Sequence, residues 1–254
     1  MAGIRSVFPD LDLPQTRFLE FGAGWDLTIP LTYAAMGVRH QTLIDLRTSA
    51  QLDLINHGLA RLGAHLSEYE EIARQPLAID PTPVRNMEAL ADRYGIRWFC
   101  PVDACDTKFD SGSFDVITNS SVMEHLAPDI LVAALRESRR LLVPGGVMSC
   151  EIYMEDHWAM ADPSISVYNF LCFSEEEWRP FNPDTHYQNR LRLPDYLSAV
   201  AESGFELLQT SPAWPTAEDL ATLDRLPLDA YFTSKYTREE LGVKSLWLLL
   251  RKTD

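Results

Sequence analysis

The run Arg17-Phe18-Leu19-Glu20-Phe21, followed at once by Gly22-Ala23-Gly24, constrains this chain more than any other stretch. A short apolar run that stops at a Gly-x-Gly turn reads as a buried strand feeding a helix, and the glycines let backbone amides approach a ligand closely. Strand and helix signals then alternate. Leu27–Met36 reads as a helix closed by Gly37, and Val38–Leu46 as a second strand ending near Asp45. A helix from Ser49 to Leu62 is predicted by Leu52, Ile55 and Leu59 on one face. Residues 63–82 read as irregular, Pro83–Tyr94 as a helix, and Trp98–Val102 and Phe114–Asn119 as strands. Pro128–Leu142 reads as a helix, broken by Pro144-Gly145-Gly146 before the strand Val147–Tyr153. Such alternation predicts an α/β fold with a parallel sheet covered on both faces.

The pattern changes after Tyr153. Residues 153–196 hold 9 of the 26 aromatic residues without a clean period, so they read as an insertion rather than another βα unit. Regularity returns with a helix over Pro194–Ser203 and strands over Phe205–Gln209 and Lys244–Arg251. The expectation is one domain over residues 1–254, with an aromatic-rich substrate lid inserted over 153–193.

Two ligand chemistries use a strand–glycine–helix turn. A dinucleotide site favours a third glycine, which allows tight packing around a pyrophosphate; here that position is Leu27. A site for S-adenosylmethionine needs no pyrophosphate cradle, and Glu20 stands where a carboxylate attracts the cationic methionine end. Asp45, 21 residues beyond Gly24, is placed to accept ribose hydroxyls from either ligand.

The order Leu19-Glu20-Phe21-Gly22-Ala23-Gly24, Asp45, Asp103-Ala104, Phe114 to His125, and Leu141-Leu142-Val143-Pro144-Gly145-Gly146 resembles a class I S-adenosylmethionine-dependent methyltransferase of the type 11-like kind. The likeness covers roughly residues 15–153, with Trp25-Asp26 and the long segment Gly63–Tyr94 as departures. It implies a Rossmann-like three-layer α/β/α sandwich around a mostly parallel seven-stranded sheet, with S-adenosyl-L-methionine as cofactor. By the resemblance, Glu20, Gly22, Gly24, Asp45, Asp103, Ala104, Asn119 and Ser120 bind that cofactor, with Asp103 on the adenine amino group and Asn119 and Ser120 beside the methionine portion. Asp115 and the Pro144-Gly145-Gly146 turn are read as architecture.

Methyl transfer from a sulfonium is an in-line displacement, so the protein must align the acceptor, exclude water and, where the acceptor carries a proton, remove it. His125, after the fourth strand, and His157, just past the fifth, are the candidate catalytic residues. Tyr153, Trp158, Asn189 and Arg190 are the candidate acceptor-binding residues. Glu175-Glu176-Glu177, His186 and the Arg136, Arg139 and Arg140 face read as surface. No metal is expected, because His, Cys and carboxylates show no compact ligand spacing along the chain. A Gly-x-Ser-x-Gly elbow is also missing.

Charge narrows the partners. The chain carries 22 Lys and Arg against 37 Asp and Glu, a net charge of −15, which disfavours nucleic acid and anionic membrane surfaces. The longest apolar run, Ile130–Leu135, falls well short of the roughly 20 residues of a membrane span. The first residues lack the apolar stretch of a signal peptide, and the sparse Cys100, Cys105, Cys150 and Cys172 read as reduced thiols. The expectation is a cytoplasmic monomer or homodimer that methylates oxygen or nitrogen of a small-molecule acceptor such as a sugar or a natural-product intermediate. The alternatives are a methyltransferase fold that uses its cofactor for another reaction such as cyclisation, a non-catalytic partner subunit, and an NAD-dependent oxidoreductase.

Overall fold

The computed structural model describes Ile4, residues 11–73 and residues 75–254. Strand β1 (Arg17–Phe21) is buried along four of its five residues, as a strand sandwiched between two helical layers must be. Helix α1 (Thr28–Ala35) follows the glycine turn; then come β2 (His40–Ile44), α2 (Leu52–Ala64), α3 (Leu66–Ala73), α4 (Met87–Tyr94), β3 (Ile96–Phe99) and β4 (Phe114–Ser120). The chain continues through α5 (Pro128–Leu141), β5 (Leu142–Tyr153), α6 (Trp158–Ala161), α7 (Glu175–Trp178), α8 (Leu193–Ser203) and β6 (Glu206–Pro212). Helices α9 (Ala217–Leu223), α10 (Ala230–Lys235) and α11 (Arg238–Gly242) lead to β7 (Ser245–Arg251).

The strands form one seven-stranded sheet in the order β3-β2-β1-β4-β5-β7-β6. The β1–β2, β1–β4, β2–β3 and β4–β5 pairs are parallel, while β7 runs antiparallel to both β5 and β6. The expected mostly parallel Rossmann-like sandwich is therefore present. Strand order reverses between β1 and β4, the position at whose carboxyl ends open α/β sheets bind ligands in a crevice.

Period-two alternation sorts the strand residues onto two faces. Phe18, Leu43, Val116, Val147 and Leu249 pack with Leu31, Ile55, Leu59 and Leu90 from α1, α2 and α4. Leu19, Ile117, Met148, Leu248 and Leu250 pack with Leu131 and Leu135 of α5 and Tyr196 and Val200 of α8. Helix α5 shows why its sequence folds as it does. Pro128 sits in its first turn with Asp129, Arg139 and Arg140 lie in its last turn, and Leu131, Ala134, Leu135, Ser138 and Leu141 form its buried stripe.

Several sequence expectations change, among them the fifth strand, which begins at Leu142 opposite Phe114 instead of at Val147 and so contains Pro144-Gly145-Gly146. Within residues 63–82, Leu66 and Tyr69 pack against the core and form α3, a stripe masked by the exposed Glu68 and Glu71. The third strand begins earlier than Trp98, because Ile96 is fully buried beside Gln41, and it stops at Phe99 ahead of Pro101. The sixth strand runs on to Pro212 along β7 instead of ending at Gln209.

The aromatics expected to wall an acceptor lid divide. Tyr168, Phe170 and Trp178 form a separate small core with Leu223, Phe232, Tyr236 and Leu241 from the segment after β6. Tyr196 belongs to the main core. Residues 153–193 thus pack chiefly onto α9–α11, leaving Tyr153, Trp158 and three histidines near the carboxyl edge of the sheet.

Candidate active site

Parallel pairing sets the cofactor side. Glu20 lies opposite Leu43 of β2 and Thr118 of β4, so the ends of three strands converge at one edge. The Glu20 carboxylate is 4% exposed and accepts the Thr118 hydroxyl at 3.1 Å. Burial pushes its carboxyl up to about 8, the hydroxyl only partly opposing the shift, so a positive charge placed beside it is strongly favoured. Gly22 (φ +70°) hands its N–H to the Ile44 carbonyl at 3.0 Å, tying the turn to β2. A Cβ on Gly22 would meet a Val122 methyl at 2.4 Å, whereas a Cβ on Gly24 (φ +78°) would meet nothing within 4 Å. Leu27, at the position where a dinucleotide site favours glycine, still adopts a left-handed backbone (φ 52°) and buries its side chain completely.

Asp45 is wired to both neighbours of the crevice. Its Oδ2 accepts the Ser49 hydroxyl at 2.8 Å, and that hydroxyl lies 3.4 Å from the Gly24 carbonyl. Its Oδ1 accepts the Arg47 N–H at 3.1 Å, and its backbone carbonyl accepts the Val102 N–H at 2.9 Å. The loop carrying Asp103 and Ala104 is thereby drawn next to Asp45. Glu137 of α5 fixes the far end of that loop by accepting the Thr107 N–H and hydroxyl. The Arg140 guanidinium first, then Thr107, hold the Glu137 carboxyl down at about 2 against the effect of burial. Asn119, 4% exposed at the end of β4, reaches the Cys150 sulfur with Nδ2 at 3.5 Å, and its Oδ1 is buried with no hydrogen-bond partner among the described residues.

This donor set fits S-adenosyl-L-methionine. Glu20, Asp45, Asp103 and the Asn119 side-chain carbonyl are all groups able to accept hydrogen bonds, and a Cβ at Gly24 would meet nothing within 4 Å. A cationic ligand rich in amino and hydroxyl donors satisfies those acceptors. An anionic pyrophosphate would face carboxylates with no Lys or Arg side chain in the set, which counts against the dinucleotide alternative.

A second group of polar side chains lies across β4 and β5. Ser120 donates to Glu151 at 3.2 Å, opposite it in the sheet, and the Tyr153 hydroxyl lies 3.5 Å from the other Glu151 oxygen. Beyond them His125, His157 and His186 form a cluster, with ring centroids 5.0, 5.8 and 6.0 Å apart. Burial, aided by the other two imidazoles, lowers His157 to about 4; burial also lowers His125. Both rings are therefore neutral at neutral pH. Burial pushes the Glu124 carboxyl up to about 7, and its Oε2 has no hydrogen-bond partner among the described residues.

Residues 187–189 clamp this cluster together. The Tyr187 carbonyl accepts from His125 Nδ1 at 2.7 Å, and the Gln188 side chain accepts the His157 N–H at 3.2 Å. The Asn189 N–H donates to the Glu124 carbonyl at 2.7 Å, and its Nδ2 donates to the Met123 and Leu126 carbonyls, each at 2.8 Å. Asn189 Oδ1 accepts the Tyr196 hydroxyl at 2.9 Å, so its polar atoms are all engaged within the protein. Arg190 is similarly engaged, donating to the Phe170 and Phe173 carbonyls and to Glu175, with its guanidinium 5.0 Å above the Phe232 ring. Tyr153 and Trp158 do stand near the histidines; the Trp158 ring lies 6.4 Å from that of His186 and its indole N–H donates to the Phe181 carbonyl.

Of the residues singled out in sequence, the structure gathers Glu20, Gly22, Gly24, Asp45, Asp103, Ala104, Asn119 and Ser120 along one edge, with His125 and His157 beside them. Sequence reasoning read His186, isolated in Asp184-Thr185-His186-Tyr187, as surface and gave no role to Glu124, Glu151 or Gln188. No spacing along the chain marks them, since their partners come from distant segments. Asp115 pairs with Arg17 at 2.8 Å, the architectural role expected of it.

Residues 60–150 match the family model described as a methyltransferase domain. No curated protein matches the chain. Among solved structures, an S-adenosylmethionine-dependent methyltransferase from Mesorhizobium loti is 15% identical with a TM-score of 0.51, over 98% of this chain and 96% of that one. An S-adenosylmethionine-dependent methyltransferase from Methanosarcina mazei is 14% identical with a TM-score of 0.51, over 97% and 96%. The YcgJ protein of Bacillus subtilis is 14% identical with a TM-score of 0.52, over 99% and 97%. At these identities the likeness is one of fold. The matched domain adds the expected cofactor, S-adenosyl-L-methionine.

Proposed function

We propose that this chain, which has the class I S-adenosylmethionine-dependent methyltransferase fold, transfers a methyl group from S-adenosyl-L-methionine to oxygen or nitrogen of a small-molecule acceptor. The observation that carries the reading is the placement of two chemistries on one edge. An acceptor-rich cradle for a cationic ligand ends β1, β2 and β4, and a histidine cluster opens beside it beyond β4 and β5.

The cofactor, when bound, supplies a methyl group already activated by its sulfonium. Glu20 faces the cationic methionine end, and Asp45 takes the ribose hydroxyls while Ser49 holds its carboxylate in place. Asp103 and the Ala104 N–H serve the adenine end. Asn119 Oδ1 is free to accept from the methionine portion. On the acceptor side, His125 and His157 are neutral and meet the acceptor's hydroxyl or amine, accepting its hydrogen bond as the proton departs. Tyr153 and Trp158 flank the entrance. The net charge of −15 favours a small acceptor over a polyanion.

Incubating the purified chain with S-adenosyl-L-methionine and panels of hydroxylated and amino small molecules tests this directly. Mass spectrometry should show an acceptor gaining the mass of one CH2, with the demethylated cofactor formed in equal amount. Cofactor binding without any methylated product across chemically diverse panels, or turnover unchanged in His157→Ala, would count against it.

A further inference from the structure

We infer that Glu124, His125 and His157 form a binding site for a divalent transition-metal ion at the acceptor end of the crevice. Each residue presents one ligand atom, and the three atoms lie within 4.8 Å of one another. Two imidazole nitrogens and one carboxylate oxygen are the donor set that suits Zn2+, Fe2+ or Mn2+, and a poor set for Mg2+, which prefers oxygen ligands and water.

Three features of the surroundings point the same way. First, a carbonyl oxygen only accepts, so the His125 Nδ1 bonded to the Tyr187 carbonyl carries the ring proton. That fixes the tautomer and leaves the Nε2 lone pair to bind an ion, the arrangement by which outer partners commonly orient ligating histidines. Second, the Glu124 side chain is held from behind by the Tyr153 N–H on Oε1, while Oε2 is buried without a hydrogen-bond partner among the described residues. A residue 1% exposed with an unpaired carboxylate oxygen is costly unless a cation or donor completes it. Third, the His157 backbone is pinned by Gln188, so both histidine-bearing segments are held to the same clamp.

Three protein ligands leave an ion with open positions. Both imidazoles are partly exposed, so those positions are reachable from the side on which the acceptor enters. The inference rests on the proposed function for its consequence: an acceptor hydroxyl or amine would complete the coordination, and the ion would lower that group's pKa. In the metal-bound protein the two histidines act as ligands, and the acceptor's proton is released to water rather than taken by an imidazole. His186 lies close enough to contact a metal-bound acceptor from the solvent side.

The test uses the purified full-length chain stripped with a chelator. Titration with Co2+ as an optical probe should show a single equivalent bound, with visible absorption bands of a four- or five-coordinate ion. Competition against a chromophoric chelator should show Zn2+ affinity at least about tenfold weaker in Glu124→Gln and in His157→Ala than in the wild type. His57→Ala, an exposed position on α2, controls for surface histidines and should match the wild type. Circular dichroism and cofactor titration on the same samples establish that the variants are folded, and Zn2+ should raise the wild-type melting temperature by linkage. No Co2+ uptake by the wild type, or Zn2+ affinity unchanged in both site variants, overturns the inference. Failure of the wild type to bind S-adenosyl-L-methionine would instead defeat the proposed function and leave the metal-uptake result standing.

Discussion

In the proposed function, Glu20 is the residue on which cofactor binding turns. Its carboxyl titrates at about 8 in the folded chain against 4.5 in the open, so the folded protein holds a proton that the unfolded chain has released between those values. The stabilisation is complete below pH 4.5 and is lost as pH rises through about 8. Glu20→Gln cannot ionise, so the variant should lose less stability than the wild type between about pH 6 and pH 9, a difference of about 2–3 kcal/mol by denaturation. Cofactor affinity should move the opposite way. Wild-type binding should strengthen from about pH 6 to pH 8 as the carboxylate becomes available to the cation, and Glu20→Gln should bind weakly at both. Calorimetry at the two pH values reads this; a parallel pH response in both proteins would contradict the assigned role.

The two glycines make a paired prediction at the same scale. At Gly24 a new methyl group meets nothing in the protein, so Gly24→Ala should keep its fold at a cost of about 1 kcal/mol from the left-handed backbone, yet lose cofactor affinity at least about tenfold. At Gly22 the methyl group strikes Val122, so Gly22→Ala should be the less stable of the two. Thermal melts with and without cofactor separate the cases. Equal cofactor affinity in Gly24→Ala and the wild type would mean the open space is not the ligand's.

At the scale of elements, the histidine cluster depends on a clamp built from residues 187–189. Asn189 engages Met123, Leu126, Glu124 and Tyr196, and Asn189→Ala would strand the Leu126 carbonyl and the Tyr196 hydroxyl in a nearly buried place, leaving the Met123 carbonyl with the Leu126 N–H. The expected loss is about 1–3 kcal/mol in urea unfolding. Arg192 does similar work one turn on: it is fully buried, and its guanidinium donates to the carbonyls of Met154, Leu241 and Val243, joining the end of β5 to the end of α11. Arg192→Met should cost about 3–5 kcal/mol, since three carbonyls lose the guanidinium that donates to them. A loss under about 1 kcal/mol in either variant would show that water replaces the lost bonds.

Those contacts also show what a sequence makes legible. Strand β1, the glycine turn, Asp45 and helix α5 were readable because local periodicity, turn chemistry and capping agree with the final packing. The clamp was not. Asn189 and Arg190 carried acceptor-binding chemistry by residue type, and only the fold shows their polar atoms bound to backbone carbonyls from segments far away in the chain. The histidine cluster was half legible: His125 and His157 each stood beside a strand end, but nothing in the spacing brought His186 to them. Helices α9 to α11 are five to seven residues long, too short for a periodic stripe to stand out.

Across the whole molecule, part of the aromatic segment forms a second small core. Its Tyr168, Phe170 and Trp178 bind it to α9–α11, and Arg192 ties that unit to β5. The histidine-bearing loops therefore rest on a packed support, which suits a site that must hold two reacting groups in line. Among the described residues no helix is long and apolar enough to cross a membrane. The strongly acidic balance coexists with a cradle of carboxylates at the ligand edge, so charge and site favour the same cationic cofactor.

Calorimetric titration of S-adenosyl-L-methionine into the wild type, Asp45→Ala and Glu20→Gln tests the central claim most directly. Single-site binding by the wild type is predicted, weaker by about tenfold or more in each variant, as expected when charge-assisted hydrogen bonds are removed. No binding by the wild type, or the same affinity in all three proteins, would contradict it.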